Sequence, residues 1–287
     1  MNATFGNATE FIIGILALRS GLVEVVKASI TGSILGNLLL VLGTAILLGG
    51  YNREKQKFNR IAAKASGSTL LLAVVALVIP AVFLQTSGSA SFAIVEKLSV
   101  AVSVLMIIAY VASLLFSLRT HKHLYTQDVA REEAKWSKRK SILILFAATV
   151  AVTGMSEILV GSIEPLVREL GWTELFIGVV VVAIIGNAAE HASAITVAMK
   201  NKIDLAFQVS VGSATQIAMF VAPALVLASL FFPERMSLVF STFELAAIIF
   251  SVFVVNSIIE DGESHWFEGV QLLIAYAITA VAFFFHP

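Results

Sequence analysis

The sequence predicts an all-α integral membrane protein built as an inverted repeat of transmembrane helices. Three observations predict it. The 287-residue chain is 58% hydrophobic and 13% charged, with a mean hydropathy of +0.93. A soluble domain is nearer 45–50% apolar and about 25% charged. The apolar residues fall into nine runs separated by polar stretches. The string Gly6-Asn7-Ala8-Thr9-Glu10 returns 180 positions later as Gly186-Asn187-Ala188-Ala189-Glu190.

A helix needs about 20 mostly apolar residues to cross a bilayer. The nine candidate segments are 1–18, 25–48, 67–84, 95–118, 142–163, 175–198, 205–232, 238–259 and 267–285. The first is short and begins at residue 1. Loop charge sets the orientation, because lysine and arginine accumulate on the cytoplasmic side. Loop 49–66 carries Arg53, Lys55, Lys57, Arg60 and Lys64 against Glu54. Loop 119–140 carries seven basic residues against Asp128, Glu132 and Glu133, and is predicted to contain a surface helix near 127–138. Both loops are predicted cytoplasmic. The uncharged connector 85–93 is predicted external, and Lys200 and Lys202 place the end of the sixth segment inside.

These assignments alternate, so the two copies of the motif enter the membrane from opposite faces. Such inverted repeats are usual in secondary transporters, where ions bind at mid-depth between the halves. The same offset pairs Gly32-Ser33 with Gly212-Ser213 and Glu24 with Asp204. Glycine lets helix backbones approach closely, and serine offers an oxygen at the contact. The chain divides into a first repeat at 1–118 with four helices, a cytoplasmic loop at 119–140, and a second repeat at 141–287 with five. The unmatched segment is the fifth, which contains Glu157.

Glu10 and Glu190 are the first candidates for chemistry. A charge at bilayer depth costs roughly 3 kcal/mol or more and faces a partner or a water-filled cavity. Two carboxylates about 5 Å apart, at an effective dielectric of about 20, repel by roughly 3 kcal/mol. They can take protons or share one divalent cation. Ca²⁺ takes six to eight oxygens in flexible geometry, whereas Mg²⁺ demands a tighter octahedron and sheds water reluctantly. Asn7, Asn187, Ser33, Ser213, Asn37 and Gln216 offer side-chain oxygens, and Gly6 and Gly186 can free backbone carbonyls. Glu157 could relay protons or carry charge beside the pair. His191 points about 100° away from Glu190 on a helix and could line the pathway or make an ordinary polar contact. The bland alternative for each glutamate is a neutral carboxyl bonded to a neighbouring helix. For Glu244, which lacks polar company, that structural reading is preferred. The stretch Glu260-Asp261-Gly262-Glu263-Ser264-His265 reads as a solvated loop. The chain has no cysteine, which excludes disulfides and thiolate metal sites. Formal net charge is zero and no basic face has interleaved aromatics, so no nucleic-acid partner is predicted.

The stretches 2–10, Gly32-Ser33-Ile34-Leu35-Gly36-Asn37, Gly186 to His191, Gly212-Ser213-Ala214-Thr215-Gln216-Ile217 and 261–269 closely resemble the repeat signatures of the Ca²⁺/H⁺ antiporter family, within the cation/Ca²⁺ exchanger superfamily. The resemblance covers nearly the whole chain. It implies a fold of two inverted five-helix repeats plus one extra helix, about nine of the eleven helices being visible. It makes Glu10 and Glu190 the ion-binding acids, with Asn7, Asn187, Ser213 and Gln216 as accessory positions and Glu157 as a further acid. The extra helix and the first helix of the first repeat have no counterpart in this chain, and the inter-repeat loop is net basic rather than acidic. The implied activity is export of cytoplasmic Ca²⁺ against external H⁺ by a multi-pass protein of the cell membrane. Ca²⁺ is then substrate, with no cofactor; the lipid bilayer is the other partner, and self-association into a homo-oligomer is left open. Na⁺-coupled exchange, a passive cation channel and an inactive truncated product are the alternatives. An intramembrane hydrolase is disfavoured because the His-Glu-x-x-His spacing is absent, so no enzyme is predicted.

Overall fold

The computed structural model describes residues 6–88, 92–122 and 136–286. Eleven described helices follow in order: α1 (Ala8–Arg19), α2 (Val23–Gly50), α3 (Arg60–Thr86), α4 (Phe92–Thr120), α5 (Lys138–Gly161), α6 (Ile163–Leu170), α7 (Glu174–Gly186), α8 (Ala188–Met199), α9 (Ile203–Ser229), α10 (Thr242–Ile258) and α11 (Trp266–Phe285). Two short strands, β1 (Gln56–Lys57) and β2 (Glu263–Ser264), pair antiparallel. Residues 1–5, the middle of the 85–93 connector and most of the predicted 127–138 surface helix lie outside the described residues.

The sequence reading counted nine unbroken segments, and the structure divides them differently. Five of the helices named above are long and apolar enough to cross a bilayer, and α5 with α6 makes a sixth candidate span, Lys138–Leu170. The predicted 175–198 segment is not one rod. It bends by 59° between α7 and α8, at Asn187. The cause is local: Asn187 leaves helical geometry, at φ −96° and ψ 5°. Asn7 does the same before α1, at φ −93° and ψ 24°. The α1 helix has 12 residues and α10 has 17, shorter than a full span. The 180-residue offset maps both ends of α1 onto both ends of α8.

The enclosed centre is formed by α2 and α9, while α4, α5 and α11 turn broad apolar faces outward. An apolar exterior is what a lipid surroundings requires, so hydropathy inside and outside is similar and periodicity is weak. Both central helices carry a π-helical turn, at Gly36–Val41 in α2 and Ile217–Val221 in α9. A third lies in α7 at Ile177–Val182. Such bulges shift the register of side chains and recur at functional sites.

Close packing at Gly32 bears out the reading of glycine as a contact residue. A Cβ there would lie 2.0 Å from the Val179 carbonyl oxygen, so α2 and α7 cross backbone to backbone. Its repeat mate Gly212 differs: it is exposed and a Cβ there meets nothing within 4 Å. Among the described residues no helix lies against Gly212 as α7 lies against Gly32. The Glu24–Asp204 match also diverges. Glu24 is exposed and pairs with Lys27, whereas Asp204 is buried and accepts the Asn59 N–H at 2.6 Å.

The stretch 260–265 is not the free solvated loop its composition suggests. The β1–β2 ladder sets Gln56 opposite Ser264 and Lys57 opposite Glu263. Lys55 Nζ donates to Glu263 at 2.8 Å and 3.0 Å, and Lys57 lies 3.6 Å from it. The Lys55 hydrogen bond holds the Glu263 carboxyl below the usual carboxylate range, and in return Lys55 is raised. The ladder thus gathers three separate connections at one basic end of the bundle: 51–59, 200–202 and 260–265. At the opposite end Arg235 pairs with Glu96, Gln85 Nε2 donates to Thr242 Oγ1 at 3.1 Å, and the Leu238 N–H donates to Ser99 Oγ at 3.0 Å.

Gly32→Ala should destabilise the protein by about 1–3 kcal/mol, because the new methyl group cannot avoid the α7 backbone. A lowered unfolding midpoint in detergent is the expected result; an unchanged midpoint would show that the α2–α7 crossing relaxes freely.

Candidate ion-binding site

The motif Gly-Asn-x-x-Glu has a simple meaning on the backbone. Its asparagine is the N-cap and its glutamate the third residue of a new helix. Asn7 and Glu10 hold these places on α1, and Asn187 and Glu190 on α8. Free N–H groups and the helix dipole make that first turn a favourable place for negative charge. An N-cap asparagine ordinarily accepts from its own helix. Neither Asn7 nor Asn187 does so. Both amides are spent across the bundle instead.

Asn187 Nδ2 donates to Ser33 Oγ at 2.9 Å and to the Ala183 carbonyl at 2.8 Å. Ser213 Oγ donates to Asn7 Oδ1 at 2.7 Å. Each motif asparagine therefore bonds the serine of the other Gly-Ser pair. Two further amides complete the network. Asn7 Nδ2 donates to Gln216 Oε1 at 2.8 Å, and Asn37 Nδ2 donates to Asn187 Oδ1 at 3.2 Å and Ser213 Oγ at 3.1 Å. Asn7, Ser33, Asn37, Asn187, Ser213 and Gln216 are all buried. With Glu190, which bonds Ser213, side-chain hydrogen bonds gather seven of the twelve predicted site residues.

The glutamates flank this network. Glu190 Oε2 lies 2.6 Å from Ser213 Oγ. The Glu10 carboxyl sits at the α7–α8 break, with Oε1 3.9 Å from where a Cβ on Gly186 would stand. Glycine at 186 leaves that space to the carboxyl, and Gly6 lies half-buried next to Asn7 at the start of α1. Both Glu10 oxygens are buried without a hydrogen-bond partner, as are Asn37 Oδ1, Gln216 Nε2 and His191 Nε2. A buried polar group left unpaired costs about 1–3 kcal/mol. Several such atoms around one network mark a place built to meet something polar.

Two predicted site residues stand apart from the network, and a third acid takes the structural role expected of it. Glu157 is exposed on α5; its buried neighbour is Ser156, and successive helical side chains point about 100° apart. His191 is half-buried but bonds to none of the network. Glu244 caps its own helix: its Oε2 accepts the Ser241 N–H at 2.9 Å and its Oε1 accepts Thr31 Oγ1 at 2.9 Å. That is the structural role its sequence context favoured. Ser210, one turn before Ser213, was missed; its hydroxyl is buried without a partner. Its spacing from Ser213 on one helix face was the available signal. Among the described residues no three acidic or imidazole groups converge, so most oxygens at the site are neutral.

A bundle of apolar helices with crossed, inverted motif helices and two flanking carboxyls defines a multi-pass membrane transporter. The model of the sodium/calcium exchanger protein family matches residues 1–119 and 140–285, and the chain belongs to that family. It is 49% identical over 290 residues to the Ca(2+)/H(+) antiporter ChaA of Bacillus subtilis (strain 168), covering 99% of this chain and 82% of that protein. It is 48% identical over 305 residues to a Ca(2+)/H(+) antiporter of Synechocystis sp., covering 100% and 82%. Native YfkE superposes with a TM-score of 0.86 at 47% identity, over 99% of this chain and 82% of that one.

Ser213→Ala should leave Asn7 Oδ1, Glu190 Oε2 and Asn37 Nδ2 each short of one partner, at a cost of about 1–3 kcal/mol. Thermal unfolding should show the loss, and Ser213→Thr, which keeps the hydroxyl, should recover most of it.

Proposed function

We propose that the protein is a secondary active transporter that exchanges Ca²⁺ for H⁺ by alternating access, with both substrates competing for Glu10 and Glu190. The observation that carries the site assignment is the meeting of the two inverted motif helices at one amide–hydroxyl network with a carboxyl on each flank. The antiport itself is supported by relatives at 48–49% identity that bear that name.

The chemistry follows from charge and hydrogen counting. Two carboxylates are neutralised equally by two protons or by one dication. Ser213 has a single hydroxyl hydrogen but faces two acceptors, Asn7 Oδ1 and Glu190 Oε2. A proton on Glu190 resolves the conflict: Glu190 donates to Ser213, and Ser213 donates to Asn7. The arrangement therefore suits the proton-loaded state. Loss of the proton frees Glu190, and rotation of Ser213, Asn7 and Gln216 presents neutral oxygens to a hard cation. Gly6 and Gly186, at the helix breaks, leave carbonyls available for the remaining ligands. Ca²⁺, which accepts irregular oxygen shells, suits this set better than Mg²⁺.

In this reading the basic end of the bundle, with the inter-repeat loop 119–140, faces the cytoplasm by the positive-inside rule, and the membrane is the cell membrane. Cytoplasmic Ca²⁺ enters, and external protons displace it. The repeat boundaries at 1–118 and 141–287 belong to the same reading.

In proteoliposomes with an imposed pH gradient, Glu190→Gln and Glu10→Gln should each abolish Ca²⁺ uptake while remaining folded. For the wild type the KM for Ca²⁺ should fall as pH rises, by up to about tenfold per pH unit for each competing proton. Uptake by either variant at the wild-type rate would overturn the site, and Ca²⁺ flux indifferent to the proton gradient would overturn the antiport.

A further inference from the structure

The α8 helix is cut from α7 by a 59° bend, so no continuous helix fixes it along its axis at the Glu190 end. Its other end is held by side chains from the connection after α2. Arg53 Nη2 donates to the Met199 carbonyl at 3.2 Å, and Arg53 Nη1 bonds the Gly49 carbonyl. Gln56 Nε2 donates to the Ala198 carbonyl at 3.4 Å and to Asn201 Oδ1 at 3.2 Å. These carbonyls are among the orphan acceptors of a helix C-terminus, where a cation is also favoured by the dipole.

The clamp is tightly seated. Gln56 is buried despite its amide, and a Cβ on Gly49 would lie 2.9 Å from Ala198 O and 2.7 Å from Gln56 Oε1. The mirrored end of the molecule is built differently. Asn201 and Gly21, 180 positions apart, both turn with positive φ, at 60° and 76°. The residue 180 positions after Gln56 in the sequence is Met236, a buried methionine. One motif helix thus ends against an Arg–Gln clamp, whereas at the turn after the other a Cβ on Gly21 would lie 3.6 Å from the Glu234 carboxyl.

We propose that Arg53 and Gln56 are positioning residues for the exchange: they hold the end of α8 and so set the height of Glu190 opposite Glu10. This rests on the exchange site proposed above. A helix is stiff over the roughly 12 Å that eight residues span, so slack at Ala198 is felt at Glu190.

The test is initial-rate Ca²⁺ uptake in proteoliposomes against Ca²⁺ concentration, with the folded fraction of each variant measured by its thermal unfolding. Gln56→Met installs the residue found 180 positions later, and Arg53→Gln removes the cation. Each should raise KM about three- to tenfold, a shift typical of losing a cap or a dipole partner. Arg53→Lys, which keeps a charge at the helix end, should return KM to within about twofold of wild type. A wild-type KM in both Gln56→Met and Arg53→Gln, with only the maximal rate scaled to the folded fraction, would overturn the proposal. Failure of the exchange reading would appear in the wild-type protein itself, so the two outcomes are distinct.

Discussion

Two carboxyls flank one buried polar network, and the rest of the proposed site is arranged around the need to balance them. Both Glu10 oxygens are buried and Glu190 is half-buried, and a lone charge inside a membrane costs several kcal/mol. Placing each glutamate in the first turn of a helix supplies free N–H groups and the positive end of the dipole. The first turn of α8 is created by the break at Asn187, and Asn7, likewise out of helical geometry, caps α1. Their amides then cannot be left idle in an apolar interior. Ser33, Ser213, Asn37 and Gln216 take them up, so the network is a consequence of the breaks as much as a ligand set.

The symmetry of the network is approximate in an informative way. The Asn–Ser bonds are mirror-related, with each asparagine held by the opposite repeat's serine. The additional amides are not mates. Gln216 mirrors Gly36, and Asn37 mirrors Ile217. One repeat supplies its amide from inside a π-helical turn and the other from the residue just before one. A register shift of one residue and a side chain longer by one carbon reach equivalent partners. Two repeats that have diverged can preserve a polar cage this way without preserving its residues.

Much of this was legible in the sequence. A glycine, an amide and an acid at fixed spacing in an apolar run have few structural uses, and their duplication pointed to the elements that meet. Loop charges were read as sorting the ends of the helices, and the ladder joins two of the connections so grouped, 51–59 and 260–265, with Gln56 reaching Asn201 of a third. The break at Asn187 was not legible as an angle, because hydropathy reads 175–198 as one run. The ladder itself was invisible, since two-residue strands leave no periodicity. Glu157 looked intramembrane and therefore functional, but one-residue precision on a helix decides whether a side chain turns inward, and hydropathy does not supply it. Gly32 and Gly212 read identically, although only the former has a helix pressed against it among the described residues.

Electroneutrality supplies the last step. A pair of carboxylates carries a charge of −2, which one dication or two protons cancel; a third ionised acid within the cage would leave a residue that neither cargo balances. The other acids near these helices are disposed in keeping with that limit. Both oxygens of Glu244 are committed to Ser241 and Thr31, and Glu157 is turned outward on α5. The other polar side chains of the network are amides and hydroxyls, which add oxygen atoms without adding charge. A large, flexible coordination shell and a strict charge count are opposing demands, and neutral side chains are the means of meeting both. At the proposed site the same count would make the two cargoes mutually exclusive, because a cage already neutralised by protons offers a dication no electrostatic reason to enter.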